Sequence, residues 1–154
     1  MGPILARVLV FVMTDCPISN FYAPEIQKVC GEYAGKGVEC SLVYEDVKPD
    51  ATAVRKHLEE YGYKGVKTVL DADRKVANKN GVKVTPETVV LDSKGEIRYR
   101  GRIDDFYAAL GKPRRAATTH ELRDALDAVL AGKSVAVAET KALGCYIVSP
   151  DIFK

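Results

Sequence analysis

Tryptophan is absent from the 154 residues and histidine occurs only twice. His57 and His120 stand apart from every cysteine, so no Cys/His zinc spacing can be built. Four cysteines are present, Cys16, Cys30, Cys40 and Cys145, separated by 14, 10 and 105 positions. No CxxC pair occurs, which removes a zinc ribbon and leaves no metal site to expect. Four cysteines are also too sparse for a disulfide-built scaffold. Charge of one sign is not in surplus: 23 basic residues face 21 acidic ones, for a net charge of +2. Nucleic-acid and membrane-surface roles, which leave a basic excess or stripe, gain no support. Apolar runs are strand-length, well short of the ~20 residues that span a bilayer. Repeats and low-complexity stretches are missing. The pattern of a signal peptide is missing too, so a cytoplasmic location is the default expectation, or an extracytoplasmic one if a leader precedes this stretch.

What is present is an ordinary folding composition. Hydrophobic residues make up 47% and charged residues 29%, which excludes a disordered chain and fits one domain of ~100–150 residues plus a tail. Leu5 to Val12 is short, branched and almost wholly apolar, as in a strand buried on both faces. Pro17 opens a helix to about Tyr33, with Ile26, Val29, Cys30 and Tyr33 on its core stripe. Pro24 should kink it. Val38 to Val47 alternates as a second strand, with Val38, Cys40, Leu42 and Tyr44 on one face. Asp50 caps a polar helix from Ala51 to about Tyr61. Val66 to Leu70 is a short strand, and Asp71-Ala72-Asp73 opens a short helix closed by Gly81. Strands at Thr88–Leu91 and Glu96–Arg100 flank the turn Asp92-Ser93-Lys94-Gly95. Residues 101–117 read as loop. Thr118 and Glu121 form a capping box for a helix carrying Leu122, Ala125, Leu126, Val129 and Leu130, stopped by Gly132. The order predicts a mixed sheet with helices on both faces.

One cysteine stands out by position. Cys16 lies where a buried strand ends and a helix begins, where sites collect in open α/β sheets. The helix start offers unpaired N–H groups that favour a thiolate, while Asp15 beside it works in the opposite direction. Cys30 and Cys40 fall on core stripes, so they are expected as small buried apolar side chains. Cys145 is either a packed tail thiol or a partner for Cys16. A tail of about 20 residues spans several tens of ångströms when extended, so it can reach back. Asp104-Asp105 suggests acid–base or metal work, or more simply a solvated turn or helix cap, and Lys112 with Arg114-Arg115 suggests a solvated loop.

Thr14-Asp15-Cys16-Pro17-Ile18-Ser19 between strand and kinked helix resembles the active-site turn of the thioredoxin superfamily. Val84-Thr85-Pro86 before a strand resembles its cis-proline loop. The helix inserted after the second strand and Leu70-Asp71-Ala72-Asp73 resemble the redoxin branch, which includes the alkyl hydroperoxide reductase and thiol-specific antioxidant proteins. Gly101-Arg102-Ile103-Asp104-Asp105 and Gly144-Cys145-Tyr146-Ile147 resemble a bacterial redoxin subgroup. The resemblance implies an α/β, three-layer thioredoxin-like fold, with residues 1–132 as its body and 133–154 as a tail packed on or extending from it. It implies a cofactor-free, thiol-dependent oxidoreductase acting on protein or small-molecule thiols and disulfides, or on peroxide; oligomeric state is left open. Cys16 would be the nucleophile, with Thr14 and Ser19 bonding its sulfur. Pro17, Thr85 and Pro86 would shape the groove. Arg102, or Arg100, would supply positive charge, and Cys145 or an external thiol would resolve the adduct. Two departures stand against the family pattern. Ser19 replaces the second cysteine of CxxC, and Met13 holds the place where peroxiredoxins carry Thr or Ser. A monothiol or redox-inactive binding module of the same fold is the alternative.

Overall fold

The structure is a computed structural model that describes residues 2–150. Strand β1 (Ala6–Val12) is followed by helices α1 (Pro17–Phe21) and α2 (Ala23–Ala34), strand β2 (Val38–Tyr44) and helix α3 (Ala51–Glu60). Next come β3 (Lys67–Leu70), α4 (Lys75–Asn80), β4 (Val84–Thr85), β5 (Glu87–Asp92) and β6 (Ile97–Gly101). The chain ends with β7 (Tyr107–Ala109), β8 (Lys112–Pro113), α5 (Glu121–Leu130) and β9 (Cys145–Tyr146). The central sheet has the order β3-β2-β1-β5-β6. Its first three strands are parallel, and β5 and β6 run antiparallel. It is the thioredoxin-like mixed sheet with helices on both faces.

The period of two on β1 divides the core. Ala6, Val8, Val10 and Val12 face the larger cluster, with Ile26 and Val29 of α2 and Leu122, Ala125 and Leu126 of α5. Each of the large side chains there contributes roughly 1.5–3 kcal/mol of burial. Phe11 turns the other way, onto Val43, Val89 and Ala77 of α4. Among the described residues α4, Val82 and Ile147 of the tail cover this side only in part, so Arg7 and Leu9 are half-buried where the sequence predicts a strand covered on both faces.

The expected kink at Pro24 is a full break. Tyr22 joins two helices, and Pro24 takes an early position in α2, where its missing N–H costs nothing. Asp50 caps α3 as expected, accepting from Thr52 N at 2.9 Å. The capping box at Thr118 does not form. The buried Asp105 carboxylate takes the N–H groups of Thr118 and Thr119 at 2.6 and 2.8 Å, together with the Thr118 hydroxyl. Glu121 instead starts α5 and pairs with Arg102. Asp104 and Asp105 are thus buried structural acceptors rather than a solvated turn. The stretch 101–117 is also more ordered than a loop, since it contains the β7–β8 hairpin.

The tail is pinned at two places. Arg100 N donates to Ala138 O at 3.0 Å and Thr140 N to Arg100 O at 3.1 Å, laying the chain along β6. Gly101 leaves room there, because a Cβ would collide with Thr140. Farther on, β9 pairs antiparallel with β4, with Cys145 opposite Thr85 and Tyr146 opposite Val84.

Candidate functional site

Cys16 is the N-cap residue of α1 and is 2% exposed. Extended backbone at the cap turns its side chain onto the first helical turn, so Ser19 N donates to Cys16 Sγ at 3.5 Å. On the other side Sγ lies 3.4 Å from the Thr85 carbonyl oxygen. The Thr85–Pro86 peptide is cis. Pairing of β9 with β4 then delivers Cys145. The two cysteines form a disulfide across 129 positions, with Cα atoms 6.2 Å apart. Gly144 makes this approach possible, since a Cβ there would overlap the Thr85 carbonyl.

Cys16, Thr85 and Cys145 therefore converge, with Pro86 adjoining and Pro17 exposed on the rim. Ser19 reaches the sulfur through its backbone N–H, not its hydroxyl. The hydroxyl is buried without a hydrogen-bond partner among the described residues. The Thr14 hydroxyl is not turned to the sulfur either. It donates to Asp46, which also accepts Thr14 N at 3.0 Å. Arg102 donates to Glu121 at 2.7 Å and shares the wall of a small cleft with Tyr22, Pro86, Asp104 and Leu143. Burial pushes the Glu121 carboxyl up, but the hydrogen bonds from Arg102 and Thr119 outweigh it and hold the group below its ordinary value. Arg100 is committed as well, to Asn80 O and to Glu139.

A network that spacing did not reveal braces this turn. Asn20 donates to Thr14 O at 3.0 Å and accepts from His57 Nε2 at 2.8 Å. Tyr44 OH meets His57 Nδ1 at 2.8 Å. The carbonyl of Asn20 accepts only, so the network assigns His57 as the neutral tautomer with its proton on Nε2. Burial lowers the His57 pKa, in keeping with a neutral ring. His57 is thus no surface residue of a polar helix. It ties α3 to the segment that carries Cys16.

Cys30 and Cys40 are buried as expected but are not inert: they are joined in a second disulfide, with Cα atoms 5.9 Å apart. Cys30 lies on the stripe by which α2 covers the sheet, and Cys40 on the β2 face that α2 covers. The two stripes meet, and the thiols with them.

A family model described as the AhpC/TSA family matches residues 6–100. The thiol-disulfide oxidoreductase ResA of Halalkalibacterium halodurans is 32% identical over 84 residues, 54% of this chain and 46% of that protein. The chain thus spans about half the length of the curated relative it matches. A hypothetical protein from Sinorhizobium meliloti superposes with a TM-score of 0.75 at 28% identity, covering 94% of this chain and 79% of that one. A putative thioredoxin from Neisseria meningitidis does so with a TM-score of 0.55 at 26% identity, covering 64% of each chain. With the mixed sheet, the cis-proline loop and the matched segment in agreement, the chain belongs to the AhpC/TSA family, within the redoxin branch of the thioredoxin superfamily.

Proposed function

We propose that the protein is a two-cysteine thiol–disulfide oxidoreductase in which Cys16 attacks and Cys145 resolves. The observation that carries this reading is the Cys16–Cys145 disulfide at the N-cap of α1, against the cis-proline loop. In the dithiol form, the Cys16 thiolate attacks one sulfur of a substrate disulfide. A mixed disulfide forms, the substrate S–S bond breaks, and the departing sulfur leaves as a thiolate. The Cys145 thiolate then attacks Cys16 Sγ. The intramolecular disulfide forms and the second substrate thiolate is released. The substrate gains two electrons and the protein loses two; a dithiol donor returns them. The reverse sequence oxidises a dithiol.

The arrangement around the sulfur supports each step. Ser19 N–H is placed to stabilise a thiolate at Cys16. Cys145 takes the part that CxxC proteins give to the residue at position 19. The thiol-disulfide oxidoreductase named above shares enough sequence to support the same chemistry. Peroxide reduction is less well served. Met13 precedes Cys16 where a hydroxyl is needed, the Thr14 hydroxyl is taken by Asp46, and Arg102 and Arg100 are taken by Glu121 and Glu139.

The test is turnover of a disulfide substrate by Cys145→Ser, with mass spectrometry of the intermediate. Turnover should fall at least tenfold as a Cys16 mixed disulfide accumulates. Unchanged turnover without that adduct would refute the two-cysteine mechanism and favour a monothiol or a binding module.

A further inference from the structure

The tail that carries Cys145 is held by a buried arginine outside the site just described. Arg74 stands between β3 and α4 and is 3% exposed. Its Nε–H donates to Val148 O at 2.9 Å, three residues beyond Cys145. Its Nη1–H donates to Asp71 O at 2.9 Å. The backbone at Arg74 is left-handed, with φ of 62°, a conformation unfavourable for a residue with a side chain.

The platform under this arginine is rigid. The Asp71 carboxylate accepts Val76 N and Ala77 N at 3.0 and 2.9 Å, capping α4. Glu45, fully buried at the end of β2, has a carboxyl oxygen 3.8 Å from Arg74 Nε. The side chain is therefore fixed by the loop before α4, with Glu45 packed beside it. What it offers the tail is one charge-assisted hydrogen bond, from a buried cation to a half-buried carbonyl. Ile147 N adds a bond to Lys83 O at 2.9 Å. Together these fix the chain on the far side of Cys145, while Gly144 packs on Thr85 on the near side.

We propose that Arg74 is a positioning residue for resolution. By holding the Val148 carbonyl it sets the register of β9 on β4 and so the presentation of Cys145 to Cys16. The proposal rests on the reading of Cys145 as the resolving thiol. Arg74 touches no reacting atom. Its effect is confined to the second step, the attack of Cys145 on Cys16 Sγ, and leaves the first attack by Cys16 untouched.

The experiment measures the effective concentration of Cys145 towards Cys16, from equilibrium with reduced and oxidised glutathione. In Arg74→Gln it should fall about tenfold, the order of one lost hydrogen bond to a charged group. Arg74→Lys, which keeps the charge but not the planar fork, should fall in between. In a Cys145→Ser background, the rate of Cys16 with glutathione disulfide should be the same with and without Arg74→Gln, which a general loosening of the fold would not allow. A chain ending at Ile147 as the amide removes the Val148 acceptor without adding a terminal carboxylate beside Arg74, leaves the Asp71 and Glu45 side chains in place, and decides the matter if Arg74→Gln fails to fold. It should show the same loss, with no further loss when the two changes are combined. An effective concentration at the wild-type level in both variants would overturn the positioning role. Failure of the underlying reading shows separately, as undiminished turnover in Cys145→Ser with Arg74 intact.

Discussion

Replacing Glu45 by glutamine separates the cost of a buried proton from the loss of a side chain. Glu45 is fully buried, and its carboxyl is pushed up to about 9, by burial first and by the neighbouring Asp71 second. Asp71 stays below its ordinary value: burial opposes its ionisation, but the neighbouring Glu45 carboxyl and the N–H groups of Ala77 and Val76 outweigh it. The folded chain therefore holds a proton on Glu45 that the unfolded chain, with an ordinary value of 4.5, gives up. A raised folded-state pKa means that this stabilisation is complete below the unfolded value and is lost as pH climbs towards 9. One proton is equivalent to about 1.4 kcal/mol per pH unit, so from about pH 6 to 8 the wild type loses about 2.7 kcal/mol through this group. Glutamine does not titrate and keeps a neutral polar group of nearly the same shape beside Asp71. Glu45→Gln should gain on the wild type by that amount over the same interval. Urea unfolding at three pH values, with both disulfides intact, gives the difference directly, because titrations common to the two proteins cancel. A difference that stays constant to within about 0.5 kcal/mol would refute the reasoning, since Glu45 would then be ionised beside Arg74 in the folded protein.

Removing the Cys30–Cys40 disulfide by a double change to alanine should cost about 2.7 kcal/mol on loop entropy, the bridge closing 10 positions; calorimetry of the wild type and the double variant checks this. Gly144→Ala should displace β9 from the Thr85 carbonyl. Overpacking of ~1–3 kcal/mol would slow closure of the Cys16–Cys145 bond about fivefold or more, read by quenched-flow alkylation. His57 has a lowered folded-state pKa because of burial, so its contribution is present above about pH 6.5 and lost as pH falls below that value. NMR of the imidazole should show a neutral ring protonated on Nε2 well below the titration point of a free histidine.

Local patterns made much of the sheet legible. β1 follows from its short apolar run, β2 from period-two alternation, and the β5–β6 hairpin from Gly95 in its turn, with φ of 81°. Cys16 was legible because a strand end, a proline and a helix start are adjacent in the chain. Interactions between distant segments were not. His57 finds Asn20 across 37 positions, and Asp105 takes the hydroxyl that Thr118 would have given to a capping box. The tail shows little periodicity because its hydrogen bonds run to β4 and β6 rather than to itself. Periodicity places Cys30 and Cys40 each on a core face, but the bond between them depends on how the two stripes meet, which only the packing of α2 on β2 decides.

The Cys16–Cys145 bond joins residues 129 positions apart. When it closes, most of the backbone becomes a covalent ring; when it opens, the same backbone is a linear polymer held by non-covalent forces and the smaller Cys30–Cys40 link. Loop closure on that scale restricts the unfolded ensemble by about 5 kcal/mol. Each round of electron transfer would then switch the molecule between two topologies of different robustness. Proteolysis would register the difference: a single cut between Cys40 and Cys145 leaves the oxidised molecule in one piece and lets the reduced one come apart.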